Sequence, residues 1–544
     1  MAWEVVQRLR CEGSAGHTSV LWNGLPIQSP MLGLLDFSLM PLNFIDEANI
    51  SYGGNSSAWG SGAIGGVISL ENDFEKEKSS IQFQTGVGSF GQRDFQLKTN
   101  YKIGKITGRT RLFHNKAEND FSYQIREDLP IITQTNAAFQ QQGVLQEFFY
   151  SPKRNQELSL RFWGQQTDRQ LPPTAVQTRS LASQKDEALR GSIHWKVIQN
   201  KMVWKVRSGL FRETIHYIDP ERLTDALSFF WNALGEVEGE YFLNKNQQIL
   251  IGGSHSWTRA DIENYATPPQ RNQTAIFSSF KQKIQNWNFQ INGRAEVVDE
   301  KFIPFIPSFG FDGKLTDALT IQGKVSRNYR LPTFNDLYWI PGGNIDLLPE
   351  IGWGQEVGII AGQESIYSAT FFNRKINNWV YWSPTDQGFW SPQNLAQVWS
   401  RGLEQRFNWN FNFENSSLKM GGGYDFVLST NQVAILKPII EEGEQLWYAP
   451  QHRAFGKMIF SYDNFQLNYN HQLTGPVRTP NFSTLEKYHI GNLSASYSLA
   501  RKQWSGKLFF TINNIWDTDY SVIEYRPMPG RNYQLHFQII INKK

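Results

Sequence analysis

An alternation of period two, recurring from about Ser79 to the C-terminus, limits what this chain can fold into more than any other feature. In Phe407-Asn-Trp-Asn-Phe-Asn-Phe413, residues Phe407, Trp409, Phe411 and Phe413 share one face of an extended chain. Asn408, Asn410 and Asn412 share the other, whereas a helix would scatter both sets around its axis. Phe465-Gln-Leu-Asn-Tyr-Asn and Trp287-Asn-Phe-Gln-Ile-Asn repeat the pattern. Ile81, Phe83, Thr85 and Val87 follow it more weakly, as do Trp504 to Ile512 and Tyr533 to Ile541. The polar face is largely Asn, Gln, Ser and Thr, not the Lys, Glu and Asp that a soluble sandwich turns to bulk water. Apolar residues toward lipid and neutral polar residues toward an enclosed wet lumen are the pattern of a transmembrane β-barrel. A propeller or β-helix is the competing reading, but no blade-length repeat with a constant signature is present.

Composition agrees. Only 19% of residues are charged while 14% are aromatic, and the 20 Tyr and 19 Trp suit girdles at two membrane surfaces. A net charge of +3 gives no reason to expect nucleic acid as a partner. The single cysteine, Cys11, can form no internal disulfide and no multi-cysteine metal site. The most apolar stretch, Met31 to Ile45, is broken by Asp36 and Pro41, so no transmembrane helix is expected. Met1 to Arg10 has no apolar core of a signal peptide. Short connections such as Ser151 to Asn155 alternate with long ones, read as Ala117–Gln142, Gln165–Leu189, Arg330–Ile351 and Pro384–Ser400. The roughly 465 residues after Ser79 make about 22 strands, the size of a plugged transporter. The fold class expected is therefore all-β: a large antiparallel barrel over 79–544, with residues 1–74 as a small Gly- and Ser-rich domain in its lumen.

Gly60-Ser-Gly62-Ala-Ile-Gly65 matches a dinucleotide fingerprint, but the strand-like Gly66-Val-Ile-Ser-Leu70 follows where a helix is required. His114, His194, His255 and His452 have no ligand spacing and read as single wall or loop residues. No catalytic constellation, metal site or cofactor is called for, and the chain does not read as an enzyme.

Three N-terminal blocks resemble the plug domain of TonB-dependent outer-membrane receptors, in the subgroup close to the vitamin B12 receptor. They are Gly16 to Gly24 with Trp22, Asn23 and Gly24; Asp36 to Pro41 with Ile45 and Ile50; and Tyr52 to Ile68 with Gly53, Gly54, Gly60, Gly62, Gly65 and Gly66. In the barrel, Asn328 to Tyr338, Tyr448 to His452 and Asn513 to Arg531 resemble family segments. The resemblance implies an outer-membrane importer of a scarce metal-bearing ligand, a cobalamin-type corrinoid or a ferric siderophore. It also implies TonB-complex energy and outer-membrane lipid around the wall. Tyr338, Trp339, Trp382, Trp390 and Arg169 are the candidate ligand contacts, with Trp163, Trp379 and Tyr381 as further loop aromatics; the competing readings are a membrane-surface aromatic girdle for the aromatics and a solvated loop charge for Arg169. Val20 lies close to the start, so the plug is expected to be N-terminally truncated and to lack a TonB box, with Met1 to about Glu12 not native plug sequence. On that expectation Val20–Trp22 and Ile50–Tyr52 lose partner strands. The alternative function is a passive pore or a non-functional remnant.

Overall fold

The computed structural model describes residues 15–72, 79–124, 128–363, 365–436 and 439–542. The reading of Met1 to Glu12 as foreign sequence falls outside them. Twenty-two antiparallel strands close into one barrel. The first wall strand, Ser80–Gly88, pairs with the last, Asn532–Asn542, in the register Gln534↔Gly88 to Asn542↔Ser80. Closure leaves no exposed sheet edge, which a wall in hydrocarbon requires. Among the described residues no helix is long and apolar enough to cross a membrane; the crossing is made by strands.

The alternation sorts side chains as expected. On Phe139–Tyr150, Gln141, Leu145, Glu147 and Phe149 are buried against the interior while Val144, between them, is 40% exposed. On Trp390–Asn412, Glu404 and Arg406 line an interior cavity. Phe407, Trp409 and Phe411 therefore point outward and Asn408 and Asn410 inward. The outer surface carries a continuous set of exposed apolar residues, among them Leu189, Ile193, Leu210, Ile251, Ile276, Ile291, Val357 and Leu403. Water would not tolerate an apolar surface of that extent; a bilayer requires it.

Residues 15–72 form the plug inside this wall. Strands β1 (Thr18–Trp22), β2 (Leu25–Pro26), β3 (Glu47–Tyr52) and β4 (Gly66–Glu71) make one sheet in the order β2-β1-β4-β3. β1 runs parallel to β4 (Thr18↔Gly66 to Trp22↔Leu70) and antiparallel to β2. Val20–Trp22 are thus partnered on both sides, contrary to the expectation from truncation. Among the described residues β3 pairs with β4 alone. The structure also shortens two of the long connections: Gln165–Leu189 to 171–182, between the strands Gln156–Gln170 and Ser183–Gln199, and Pro384–Ser400 to 385–389, between Ile366–Pro384 and Trp390–Asn412. About ten residues cross the bilayer, so strands of this length rise beyond it. Above the lipid their outward residues turn polar, which made them read as loops.

One end of the barrel has only short turns, such as 104–105, 200–201 and 285–286, and faces the periplasm; the other carries the longer loops. Trp409 lies close to the short turn 413–415 and so belongs to the periplasmic girdle rather than the midplane. Leu403, six residues further up the same outward face, lies deeper. Leu403→Arg should cost roughly 2–4 kcal/mol and Trp409→Arg only about 0–1 kcal/mol. Urea unfolding in lipid vesicles measures both, and equal losses would place the belt wrongly.

Candidate binding site and the seam beneath it

The plug has little core of its own. Trp22, Leu25, Ile27, Phe44, Ile68 and Leu70 pack in one cluster with the wall residues Phe113, Leu145, Trp163 and Phe211. Trp22 meets Trp163 edge-on at 5.2 Å between ring centroids, and Phe44 meets Trp163 at 5.5 Å. Trp163 is 1% exposed. It is therefore a plug-packing residue in mid-strand and not a loop aromatic. Trp379 is likewise buried, its ring stacked on His17 of the plug at 4.1 Å.

A polar seam surrounds this apolar contact. Asn72 accepts the Trp22 indole N–H at 3.0 Å, donates to the Phe44 carbonyl at 2.5 Å, and offers its own carbonyl to Arg161 Nη2 at 3.2 Å. Asp46 of the plug holds Arg109 at 2.6 Å and Arg111 at 2.7 Å. Behind them the fully buried Glu147 lies 3.3 Å from Arg161, 3.5 Å from Arg111 and 3.6 Å from Arg109. On the opposite flank His17 bonds Glu350, which also accepts from Arg330 at 2.7 Å and from the Val380 N–H at 3.0 Å.

The glycine block docks against the strand Leu319–Arg330. Ser56 N–H donates to Asn328 Oδ1 at 3.2 Å, Gly62 N–H to the Tyr329 carbonyl at 3.0 Å, and Leu331 N–H to Ser61 Oγ at 2.9 Å. A Cβ on Gly53, whose φ is +73°, would lie 1.8 Å from Glu356 Oε1, and one on Gly54 would lie 2.0 Å from Asn328 Nδ2. Only glycine lets the backbone come this close. Gly60, Gly62, Gly65 and Gly66 lead into β4, not into a helix, so the dinucleotide fingerprint has no helix N-terminus behind it. Trp22 sits in the shared core, and Asn23 and Gly24 make the β1–β2 turn with φ of +49° and +84°.

At the loop end the plug apex meets a wall loop. The carbonyls of Pro30 and Met31 accept the Phe334 and Asn335 N–H groups, the otherwise unpaired donors at the start of the helical turn Phe334–Tyr338. Thr333 and Asp336 close a capping box there, and Asp336 Oδ1 also accepts the Trp382 indole N–H at 2.9 Å. Met31, Tyr265 and Phe334 form a cluster against which Tyr338 and Trp339 pack. Trp390, half exposed, tops the adjacent hairpin, where Ser391 Oγ donates to the Gly342 carbonyl at 2.7 Å. Tyr338, Trp339, Trp382 and Trp390 thus gather around one loop and hairpin. Arg169 stands on a different stretch of wall and bridges Asp36 of the plug apex at 2.9 Å and Asp186 of the wall at 3.0 Å. Sequence reasoning noted Asp36 only as part of a plug-like block and did not single out Asp46, His17, Glu147 or Glu350, because a lone charge in sequence carries no sign of the partner that burial gives it. At the periplasmic end a cavity of about 840 Å³ opens between Tyr52–Gly53 and the wall, with Lys281, Lys324, Arg374, Glu356 and Glu404 among its lining.

A family model described as "TonB dependent receptor-like, beta-barrel" matches residues 43–515, and one described as "TonB-dependent Receptor Plug Domain" matches residues 7–67. The vitamin B12 transporter BtuB of Photobacterium profundum is 23% identical over 544 residues, covering 95% of this chain and 83% of that protein. The siderophore receptor PirA from Acinetobacter baumannii superposes with a TM-score of 0.82 at 14% identity, over 98% of this chain and 91% of that one. The FrpB iron transporter from Neisseria meningitidis gives 0.79 at 10% identity, over 97% and 92%.

Two outcomes follow from the seam. Trp22→Ala should destabilise plug docking by about 3–5 kcal/mol, seen as faster proteolysis of the plug in an intact barrel. The Asp36 carboxyl is raised by burial, but the Ser38 hydrogen bond and Arg169 outweigh this and hold it below its ordinary value. A lowered folded value means the apex contact is fully formed above the ordinary carboxylate range and is lost as pH falls through the lowered one. Hydrogen exchange around Asp36–Met40 should rise only in strongly acid solution, and Asp36→Asn should remove that dependence.

Proposed function

Because this chain belongs to the TonB-dependent receptor family, as the barrel match over residues 43–515 shows, we propose that it is a gated importer of a scarce metal-bearing ligand. The class is a cobalamin-type corrinoid or a ferric siderophore. The protein lies in the outer membrane. Residues 1–74 act as the plug and 79–544 as the wall. The observation that carries the reading is the shared core: a sheet of four short strands blocks the lumen by completing its apolar face on the wall. Such a body is a gate that can be loosened without dismantling the barrel. The names of the relatives, a vitamin B12 transporter and receptors for siderophores or iron, support the two ligand classes.

Ligand settles on the aromatic faces of Tyr338, Trp339, Trp382 and Trp390 above the apex, with Arg169, on its own stretch of wall and bridged to Asp36 of the apex, as a cationic contact. The TonB complex supplies the energy that breaks the seam, and ligand leaves through the periplasmic cavity. No bond of the ligand is made or broken, so the protein is not an enzyme.

The test is uptake of radiolabelled cobalamin and of a ferric siderophore by a receptor-deficient strain carrying this chain, with and without TonB. Saturable uptake of one of them that disappears with TonB is expected. Uptake at an unchanged rate without TonB would instead mark a passive pore. Trp339→Ala with Trp390→Ala should weaken ligand binding on cells by roughly 30-fold or more, the effect of losing buried aromatic anchors of about 2 kcal/mol or more.

A further inference from the structure

The space beneath the plug has an electrical sign. It is the cavity of about 840 Å³ between Tyr52–Gly53 and the inner face of the wall. On the strand Gln270–Ile284, Phe277 is buried in the interior while Ile276 is exposed on the outside. Lys281 and Lys283 share the face of Phe277 and so point into the lumen. The register carries that face across the next strands: Lys281 lies opposite Gln290, Gln290 opposite Gly310, and Gly310 opposite Lys324. The charged residues of the lining are Lys245, Lys281, Lys283, Lys324, Arg374 and Arg406 against Asp312, Glu356 and Glu404, six cations to three carboxylates.

The carboxylates are all engaged. Arg374 lies 3.8 Å from Glu356, Arg406 lies 3.9 Å from Glu404, and the Asn288 amide donates to Asp312 at 2.8 Å. Arg406 also binds Asp425 on the next strand. In the smaller hollow that adjoins the cavity beneath Trp59, Glu236 and Glu238 are both taken by Arg207. Among the described residues, none of the four lysines has an ion-pair partner, and Lys324 donates only to the neutral Asn55 Oδ1, at 2.7 Å. The excess charge is therefore positive and carried by lysines. Walls of low dielectric focus such a field, so anions concentrate in the cavity. Pores that favour anions use rings of Lys or Arg, and passage requires a hold weak enough to release. Hydrated ammonium groups on flexible stems supply a hold of that kind. We propose that the cavity is an anion-selective vestibule, in which Lys281, Lys283 and Lys324 briefly bind the carboxylate or other oxyanion groups of a solute before it reaches the periplasm. The direction of traffic rests on the importer reading; the anion site does not. Lying below the plug, the lysines act on the rate of passage and not on affinity at the cell surface.

The site is tested first on the purified full chain in neutral detergent, by equilibrium dialysis against radiolabelled citrate, a compact trianion, at low ionic strength. One citrate per barrel should be retained, and high salt should release it. Lys281→Gln with Lys283→Gln, whose side chains make no hydrogen bond to the plug, should reduce retention several-fold, and adding Lys324→Gln should reduce it further. Lys153→Gln with Arg154→Gln, the same loss of charge in a turn outside the cavity, should not. Heat-modifiable gel mobility confirms folded barrels. The second arm measures uptake by cells of a ferric tris-catecholate, a trianion, and of a neutral ferric tris-hydroxamate. The lysine variants should lower the maximal rate for the trianion several-fold at unchanged half-saturation and leave the neutral complex unaffected. If neither complex enters with TonB, the importer reading fails and citrate binding alone decides the vestibule. Absent citrate binding, an equal loss in the turn control, equal slowing of both complexes, or import of the neutral complex alone would overturn the assignment.

Discussion

The contact between Trp22 and Phe44 of the plug and Phe113, Leu145, Trp163 and Phe211 of the wall is what the rest of the molecule depends on. The described part of the plug, residues 15–72, puts its largest apolar side chains into a cluster shared with the wall, so it has little core to stand on by itself. It solves the problem by borrowing an apolar patch from the lumen. The wall accepts the arrangement because a lumen-facing Trp163 or Phe211 would otherwise sit in water. Plug and barrel therefore stabilise each other. The same dependence makes the plug a gate, since anything that separates the two faces must expose aromatic surface on both. That is a large free-energy requirement, and it fits a device driven by external energy better than one opened by thermal fluctuation.

The charges around that contact act differently. Glu147 among three arginines and Glu350 between His17 and Arg330 are out of water, where attraction does little more than offset the loss of hydration. Their contribution is registry more than net stability: a displaced plug would leave a buried charge without its partner. Buried ion pairs also weaken quickly once water enters. The seam is therefore stiff while dry and yields once a first separation wets it, the behaviour of a latch and not of a spring.

How much of this could be read from sequence follows from what each feature requires. The wall was legible because a strand with lipid on one side and lumen on the other must alternate, as Phe407 to Phe413 does. The glycine block was legible because Gly53 and Gly54 leave no room for any side chain against Glu356 and Asn328. Strand ends were not, since above the lipid belt the outward face turns polar and the period fades, as at Gln165–Gln170. Trp163 and Trp379 were misplaced for a related reason. A lumen-facing tryptophan breaks the polar side of the pattern and reads as loop, and only the presence of Trp22 and His17 opposite explains it. The two flanks of β1 illustrate another limit. Its parallel partner β4 lies more than forty residues away, and no local pattern specifies so distant a pairing.

Resistance to displacement is unevenly spread across the plug, and this gives the gate a direction. The apex is tied through Pro30, Met31 and Asp36. The block from Ser56 to Gly62 is stitched to the wall through backbone and hydroxyl hydrogen bonds. Among the described residues β3 pairs with β4 alone and most of its residues are exposed, although Asp46 before it and Gly53 and Gly54 after it lie against the wall. Its last residue, Tyr52, lines the periplasmic cavity of about 840 Å³. Local unfolding starts where buried apolar contacts and backbone partners are fewest, which among the described residues is the middle of β3, between the Asp46 and Gly53 anchors. A pull from the periplasm therefore acts first on the least secured strand, next to empty space already open to the exit. The apex stays closed beneath the ligand until β4, and with it the Ile68 and Leu70 share of the common core, begins to move.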